Sequence, residues 1–257
     1  MIVEYYRPKN IAETLSLLSE TQINTVLMGG GTAIDRYSTE PFAVLDLQDV
    51  GLSSIQVSGS VLEIGATATL QSLFEYPQIQ EALISSIYHE ATQNLRQVAT
   101  AAGTLIAADG RSPFTTAMYA LDAALTMIPD EEQISLGDLL ALGKKSLAKR
   151  LITKITIPLN VRLAYEYVAR TPADLPIVCA AVAVWSSGRT RVVLGGYGEE
   201  PVLAMDGPGG GGAEIAARDA YSHSDDQWAT AEYRQEIAKV LVKRGLVNLE
   251  ASSKSKE

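Results

Sequence analysis

The chain has 257 residues, of which 47% are hydrophobic and 20% are charged, and its net charge at pH 7 is −9. This length allows one large domain or two to three small ones with buried cores. The acidic balance argues against nucleic acid as a main partner, because no basic stripe is present to neutralise phosphates. One cysteine, Cys179, and two distant histidines, His89 and His223, argue against a disulfide, an iron–sulfur cluster or another metal site in this chain.

The N-terminal segment, residues 1–8, mixes charged and aromatic side chains and does not have the pattern of a signal peptide. The apolar run at residues 177–185 has about half the length that a membrane span needs. We therefore expect a cytoplasmic protein with no membrane span.

The first fifty residues predict a small βαββ unit. Asn10 can cap the helix that follows the opening strand, and Ile11, Leu15 and Leu18 recur at helical spacing. Residues 25–27 predict a buried strand, and residues 43–47 predict the next strand.

Three consecutive glycines, Gly29, Gly30 and Gly31, lie between these two predicted strands. Glycine has no Cβ and can take φ > 0, so the N–H groups of such a run can converge on an anion such as a pyrophosphate. The run lacks the glycine spacing of the dinucleotide-binding βαβ fingerprint. On this stretch alone a tight turn is the favoured interpretation, and a second glycine-bearing stretch downstream shifts the balance toward an anion cradle.

The middle of the chain alternates strands and helices. Residues 54–65 predict a hairpin around a Ser-Gly-Ser turn. Further elements are predicted as helices at 70–75 and 79–91, a loop of small residues at 93–105, a helix at 114–121 with Ser112 as cap and Pro113 at its first position, a strand at 124–128, a helix at 134–140 and a strand at 151–157.

The last third predicts strands at residues 163–168, 177–185 and 190–195, then helices from residue 213 and over 229–243. The Gly-Pro-Gly-Gly-Gly-Gly segment at 207–212 is interpreted as a flexible loop into which no strand leads directly. Residues 249–257 are expected to fray.

Four stretches in a fixed order, residues 28–34, 64–69, 93–104 and 194–197, together resemble a known family. The family is the FAD-binding medium subunit of the molybdenum hydroxylases, such as the medium chain of carbon monoxide dehydrogenase and the FAD domain of xanthine dehydrogenase. The first and third stretches resemble its two FAD loops, and the second resembles its Ile-Gly-Ala-x-[Thr/Ala]-Thr strand end.

The resemblance implies an α+β fold, in which a two-subdomain FAD-binding fold of the PCMH type is followed by a C-terminal domain of antiparallel sheet plus helices. The implied boundaries are 1–52, 53–158 and 159–257. The resemblance also implies FAD as cofactor and no catalytic or metal-binding side chain. The implied cofactor-binding residues are Met28, Gly29, Gly30, Gly31, Thr32, Ala33, Ala66, Thr67, Thr100, Ala102, Gly103, Thr104, Asp109 and Arg170.

By the same resemblance, the chain is an oxidoreductase flavoprotein subunit that works within a complex. Substrate would be oxidised at a molybdopterin site on a large subunit, and a small 2Fe–2S subunit would supply electrons to FAD. From FAD they would pass to NAD⁺, oxygen or a quinone. The chemistry belongs to the flavin ring, and the protein supplies placement and electrostatic field.

Three departures from the family pattern motivate an alternative. Ala102 and Thr104 stand where the family prefers Gly and Asn, and Pro113 stands where many members carry Asp. Ala102 restricts φ and close backbone approach. The alternative is a degenerate member that serves as a scaffold or assembly subunit with weak or no flavin binding. A free-standing flavin oxidase ranks last, because the sequence shows no catalytic base or covalent flavin attachment pattern.

The sequence also suggests roles for several individual residues. Asp35 is expected to cap a turn rather than bind a cofactor hydroxyl, and Arg96 is expected to anchor its loop. Arg170 either tunes the flavin or pairs with Asp174. Cys179 is expected to be a core thiol.

Overall fold

The computed structural model describes residues 1–20, 23–34 and 40–254 of the chain. Within these ranges, no helix has both the length and the apolar character that crossing a membrane requires. The described strands are β1 (Ile2–Tyr6), β2 (Thr25–Met28), β3 (Phe42–Asp46), β4 (Ile55–Ser58), β5 (Val61–Gly65), β6 (Ala124–Ile128), β7 (Glu132–Ser135), β8 (Leu151–Pro158), β9 (Val161–Val168), β10 (Val178–Trp185), β11 (Thr190–Gly195) and β12 (Val202–Gly207). The described helices are α1 (Ile11–Glu20), α2 (Leu70–Phe74), α3 (Glu81–Glu90), α4 (Gln93–Arg96), α5 (Ala101–Ala107), α6 (Pro113–Ala120), α7 (Leu136–Leu142), α8 (Ala213–Ala220) and α9 (Ala231–Lys254).

The chain forms two compact units, and neither is continuous in sequence. The first unit is built from Met1–Tyr76, Gln93–Ala107 and Ala124–Thr156. The second unit takes Pro77–Thr92, Ala108–Ala123 and the chain from Ile157 onward. The expected three-domain division at 1–52, 53–158 and 159–257 stays a prediction, because compactness alone does not test it.

The first unit begins with a three-stranded parallel sheet in the order β1-β3-β2. All residues of the central strand β3 are buried, as its continuous apolar run indicates. The predicted cap of α1 is confirmed, because Asn10 Oδ1 accepts a hydrogen bond of 2.9 Å from the backbone N–H of Glu13. The predicted βαββ order is therefore present.

A second sheet of the first unit has the order β4-β5-β8-β6-β7. The predicted hairpin is confirmed as the antiparallel pair β4–β5. The helix expected from residue 134 begins two residues later, at Leu136, and Ser135 caps it by accepting from the N–H of Asp138 at 3.0 Å. The residues before it form β7, an edge strand that is exposed or half-buried and so lacks the apolar alternation that signals a strand.

The segment expected to be a loop of small residues, 93–105, instead contains two short helices, α4 and α5. Residues 97–100 connect them. The alanines of α5 are good helix formers, and three buried residues hold it against the unit. The expectation of an irregular loop was therefore wrong for most of its length.

The second unit is an antiparallel sheet in the order β12-β11-β10-β9, covered by helices. Its core includes Val182, Leu194, Leu241 and Val242, which are at most 1% exposed. The predicted start of α6 is confirmed, with Ser112 as cap and Pro113 at the first turn.

Two expectations for this second unit were wrong. Strand β12 runs directly into the glycine segment at 207–212, which was expected to have no strand before it. Helix α9 continues to Lys254 rather than ending near residue 243, because Leu249 is buried at 6% exposure and its carbonyl accepts from Arg162 at 2.5 Å. Fraying from residue 249 is thus not observed in the described chain.

Candidate functional site

The glycine run sits at the carboxyl end of β2. Gly31 takes φ = +72°, a conformation that residues with a Cβ adopt at a cost. In the part of the chain that the structure describes, the backbone N–H groups of Gly29 to Ala33 donate no hydrogen bond to the protein. Such a row of free N–H donors after a strand can bind an anion.

The reason for two of the glycines is the close approach of the segment between α4 and α5. A Cβ on Gly30 would lie 1.6 Å from the carbonyl oxygen of Val98, and a Cβ on Gly29 would lie 2.3 Å from Thr100 Oγ1. No side chain fits at either distance. The first loop therefore needs glycine in order to pack against residues 97–100, before any ligand is considered.

A cavity of about 630 Å³ opens beside these two segments, entirely within the first unit. Its volume lies in the range of small-molecule and cofactor sites, roughly 300–1,000 Å³. The predicted site residues on its wall are Met28, Gly29, Gly30, Gly31, Thr32, Ala33, Ala66, Thr67, Thr100, Ala102 and Gly103. Thr104 is not among the described lining residues. That the lining residues contact a cofactor stays a prediction.

One buried hydroxyl in this wall has no partner. Thr67 is 8% exposed, and its Oγ1 makes no hydrogen bond with any residue that the structure describes. Burying a hydroxyl without a partner costs about 1–3 kcal/mol. An orphaned hydroxyl on a cavity wall is therefore a natural contact for a polar ligand.

The second stretch contributes differently from the first. The N–H of Ala102 donates to the carbonyl of Ala66 at 3.2 Å, and the N–H of Gly103 donates to Thr100 Oγ1 at 3.2 Å. The N–H of Thr104 donates to the carbonyl of Thr100 at 2.8 Å. These donors are already used inside the unit, so the second stretch shapes the wall without offering a second row of free N–H groups.

The charge of the cavity wall was not foreseen from the sequence. Its described residues include two cations, Lys149 and Arg150, and no carboxylate, although the whole chain carries a net charge of −9. Arg150 is engaged with Asp130 at 3.7 Å and with Glu132 at 2.5 Å. Lys149 has no specific sequence signal as a site residue, because it is one of several basic residues at 144–150, in a turn between a 3-10 helix (Lys144–Leu147) and β8.

Two predicted site residues belong to the second unit. Asp109 accepts from the backbone N–H of Arg111 at 2.8 Å, which is a local turn contact. Arg170 lies 3.5 Å from Asp174, and its guanidinium stacks 4.3 Å from the ring centre of Trp228. The ion pair, one of the two alternatives left open for Arg170, is present, and a role of Arg170 at the flavin stays a prediction.

Other candidates have structural surroundings. Arg96 is 6% exposed, donates to Gln71 at 3.1 Å and stacks on Phe74 at 4.7 Å. It anchors its segment through the side chain of Gln71 and the ring of Phe74. Cys179 is fully buried, and burial raises the pKa of its thiol to about 12. Asp35 lies outside the described residues.

The half-buried carboxyl of Glu90, in the second unit, supports the start of α6. Its Oε2 accepts from the hydroxyl of Ser112 at 2.7 Å and from the N–H of Phe114 at 3.0 Å. Burial raises the pKa of Glu90, and these two hydrogen bonds oppose that rise. Its partners are structural, and among the described residues no cluster of His, Cys, Asp and Glu could hold a metal ion.

Comparison with known proteins decides the family. The family model described as "FAD binding domain in molybdopterin dehydrogenase" matches residues 1–160. The chain belongs to this family. The resemblance stated from the sequence is confirmed: this is an FAD-binding subunit of the molybdenum hydroxylase family, and FAD is its cofactor.

Individual relatives cover nearly the whole chain. The uncharacterised protein YgfM of Escherichia coli K12 is 28% identical over 249 residues, 94% of each chain. The carbon monoxide dehydrogenase medium chain of Afipia carboxidovorans is 26% identical over 287 residues, 98% of each chain. A chain of quinoline 2-oxidoreductase from Pseudomonas putida 86 superposes with a TM-score of 0.80 at 21% identity, covering 95% of each chain. This last likeness confirms the α+β fold class.

The residues of the flavoprotein cavity fit this cofactor. FAD carries two phosphates, and the free N–H groups of residues 29–33 form a neutral cradle for an anion. The hydroxyl of Thr67 has no hydrogen-bond partner among the described residues, and a polar group of the cofactor can supply one. The volume, the free donors and the charge of the cavity wall therefore agree with this cofactor.

Proposed function

We propose that the chain is the electron-transfer subunit of a molybdopterin-dependent hydroxylase or dehydrogenase complex. Its partners are a large subunit with the molybdopterin site and a small subunit with 2Fe–2S centres. A 2Fe–2S cluster needs four protein ligands, mostly cysteines, and this chain has one cysteine, which is buried. The iron–sulfur ligands would therefore come from another chain. A cytoplasmic location stays a prediction.

The observation that carries the proposal is the cavity of the first unit with its row of unused N–H groups. In this proposal residues 29–33 bind the diphosphate, and Thr67 binds a polar group of the cofactor. Thr100, Ala102 and Gly103 close the wall beside them. Bound FAD supplies the redox chemistry, accepting electrons and passing them to NAD⁺, oxygen or a quinone.

The chain's own side chains bind and orient rather than transfer protons. The lining residues include no histidine, carboxylate or cysteine among those described. A cofactor that carries the redox chemistry requires none of these groups from its binding subunit. The same feature argues against a free-standing oxidase with its own catalytic base.

One observation favours the alternative of a scaffold subunit with weak flavin binding. The N–H groups of the second stretch donate to acceptors within the protein, as the hydrogen bond from Ala102 to Ala66 shows. If both stretches must donate to the phosphates, affinity for FAD is low. The scaffold alternative therefore predicts a fold that is stable without flavin.

The first test is the absorbance spectrum of the purified chain with and without added FAD. We expect oxidised-flavin bands that persist after gel filtration and are released on denaturation. A protein that stays colourless in excess FAD would overturn the electron-transfer proposal and favour the scaffold.

The partners need a separate test. The chain should co-purify with a molybdopterin-containing large subunit and a 2Fe–2S small subunit when all three are expressed together. In that complex, substrate should bleach the flavin absorbance, and an acceptor should restore it. Bleaching of the iron–sulfur bands alone would exclude the proposed route.

A further inference from the structure

Lys149 occupies a backbone conformation that its side chain does not favour. Its φ is +59°, and the carbonyl of Leu147 accepts from the N–H of Arg150 at 3.0 Å, which closes a tight turn. Positive φ at the third position of such a turn favours Gly or Asn. A lysine there carries a strain of order 1 kcal/mol or more.

The turn also places Lys149 on the wall of the cofactor cavity. The other cation on the described wall, Arg150, has two carboxylate partners, Asp130 and Glu132. Lys149 makes no ion pair within the described part of the chain. It is an exposed, uncommitted positive charge facing a cavity whose described wall has no negative one.

The rest of the described cavity wall offers a diphosphate only neutral donors and one paired cation. A diphosphate brings two negative charges, and the free donors at residues 29–33 are neutral. The N–H groups of residues 102–104, which could close on the phosphates from a second side, are used within the unit. Charge-assisted hydrogen bonds to phosphate are about twice as strong as neutral ones.

We infer that Lys149 is a phosphate-binding residue that makes this cavity selective for a diphosphate ligand. The inference rests on the proposed flavin-binding function and adds a residue to it. The strained turn positions the ammonium group, and its charge compensates for the missing second row of donors. The ligand class is a nucleoside diphosphate, either free or as half of FAD. The cavity should bind such a ligand more tightly than uncharged riboflavin.

The test measures dissociation constants of FAD, ADP and riboflavin on the whole chain stripped of flavin. In Lys149→Asn the charge is lost, but Asn tolerates positive φ, so the turn is kept. We expect the dissociation constants of FAD and ADP to rise about tenfold at low salt, the value of one charge-assisted contact. Riboflavin binding should not change.

Two controls make this test specific. Lys149→Arg keeps the charge and should bind FAD and ADP within about twofold of the parent chain. Lys243→Gln removes an equal charge from the exposed face of α9 and should leave all three constants unchanged. The loss in Lys149→Asn should also shrink at 0.5 M salt, because salt screens an exposed charge.

Each other outcome has one meaning. If the parent chain binds FAD and Lys149→Asn binds it equally well, the role of Lys149 is overturned while the proposed function stands. An equal loss in Lys149→Asn and Lys243→Gln would also overturn it, since net charge alone would explain the effect. If the parent chain binds neither FAD nor ADP, the proposed function fails as well.

Discussion

The two glycine-rich segments of this chain look alike in sequence and differ in three dimensions. In the first segment, residues 29–31, a Cβ at Gly30 would overlap the carbonyl of Val98. In the second segment, residues 207–212, a Cβ added at Gly207, Gly209, Gly211 or Gly212 would meet nothing within 4 Å. Packing requires Gly29 and Gly30, and Gly31 has a positive φ, whereas most of the second segment has room for a side chain.

The difference shows what distinguishes a binding loop from a flexible one. Glycine content reports only that the backbone is free to move. The first segment is packed against a second piece of backbone, and its N–H groups at residues 29–33 donate no hydrogen bond within the described chain. Adding methyl groups at chosen glycines tests this difference between the two segments.

The largest effect is expected for Gly30→Ala. The new methyl group must displace the backbone at Val98, and overpacking of this kind costs about 3 kcal/mol. Urea unfolding should show this loss of stability, and the purified chain should lose its flavin absorbance. An unchanged urea midpoint with full flavin content would mean that the two segments do not approach each other as described.

A crowded glycine in the second unit should behave in a similar way. Gly196 has φ = +112°, and a Cβ there would lie 2.3 Å from the carbonyl oxygen of Ile177. Gly196→Ala should lower the free energy of unfolding by about 2 kcal/mol through backbone strain and overlap. Thermal unfolding measures this loss. Full stability in Gly196→Ala would show that crowding is not what sets the cost.

Thr67→Val separates binding from stability at the cavity wall. The change keeps the side-chain shape and removes the hydroxyl that has no partner among the described residues. We expect affinity for FAD to fall up to about tenfold, because one hydrogen bond is lost. The flavin-free chain should be unchanged or more stable by up to about 1 kcal/mol. A variant that loses stability without flavin would show that the hydroxyl has a partner within the protein.

The smallest effect is expected for Gly211→Ala, the matched control for Gly30→Ala. Open space surrounds the position and its φ is not positive, so alanine adds no overlap. Alanine reduces the freedom of the unfolded chain, so stability should rise by about 0.4–1 kcal/mol. Calorimetry measures this gain, and the flavin absorbance of the purified chain should be unchanged. A clear loss of stability would place this segment in the same class as the first.

Features decided by short-range chemistry could be predicted from the sequence. The caps Asn10 and Ser112 each accept from an N–H group three residues away, so the local sequence contains all the necessary information. The ordered motifs identified the family, because several weak matches in a fixed order are specific together. The glycine run was located for the same reason.

Features that depend on residues far apart in the sequence could not be predicted. Strand β7 is an exposed edge, and β12 gains its identity from pairing with β11. The helices α4 and α5 are short, and their stability comes from burial. Lys149 gives no signal at all in sequence, since only its dihedral angle and its place on the cavity wall set it apart.

The interleaving of the first unit has a consequence for biosynthesis. The residues of the cavity wall extend in sequence from Leu18 to Ile152. Two segments of the second unit lie between them in the sequence. A nascent chain therefore cannot close the pocket until Ile152 has left the ribosome. Contacts of this sequence separation slow folding, and an N-terminal fragment ending near residue 100 should expose the edge of β5 that β8 covers in the complete sheet.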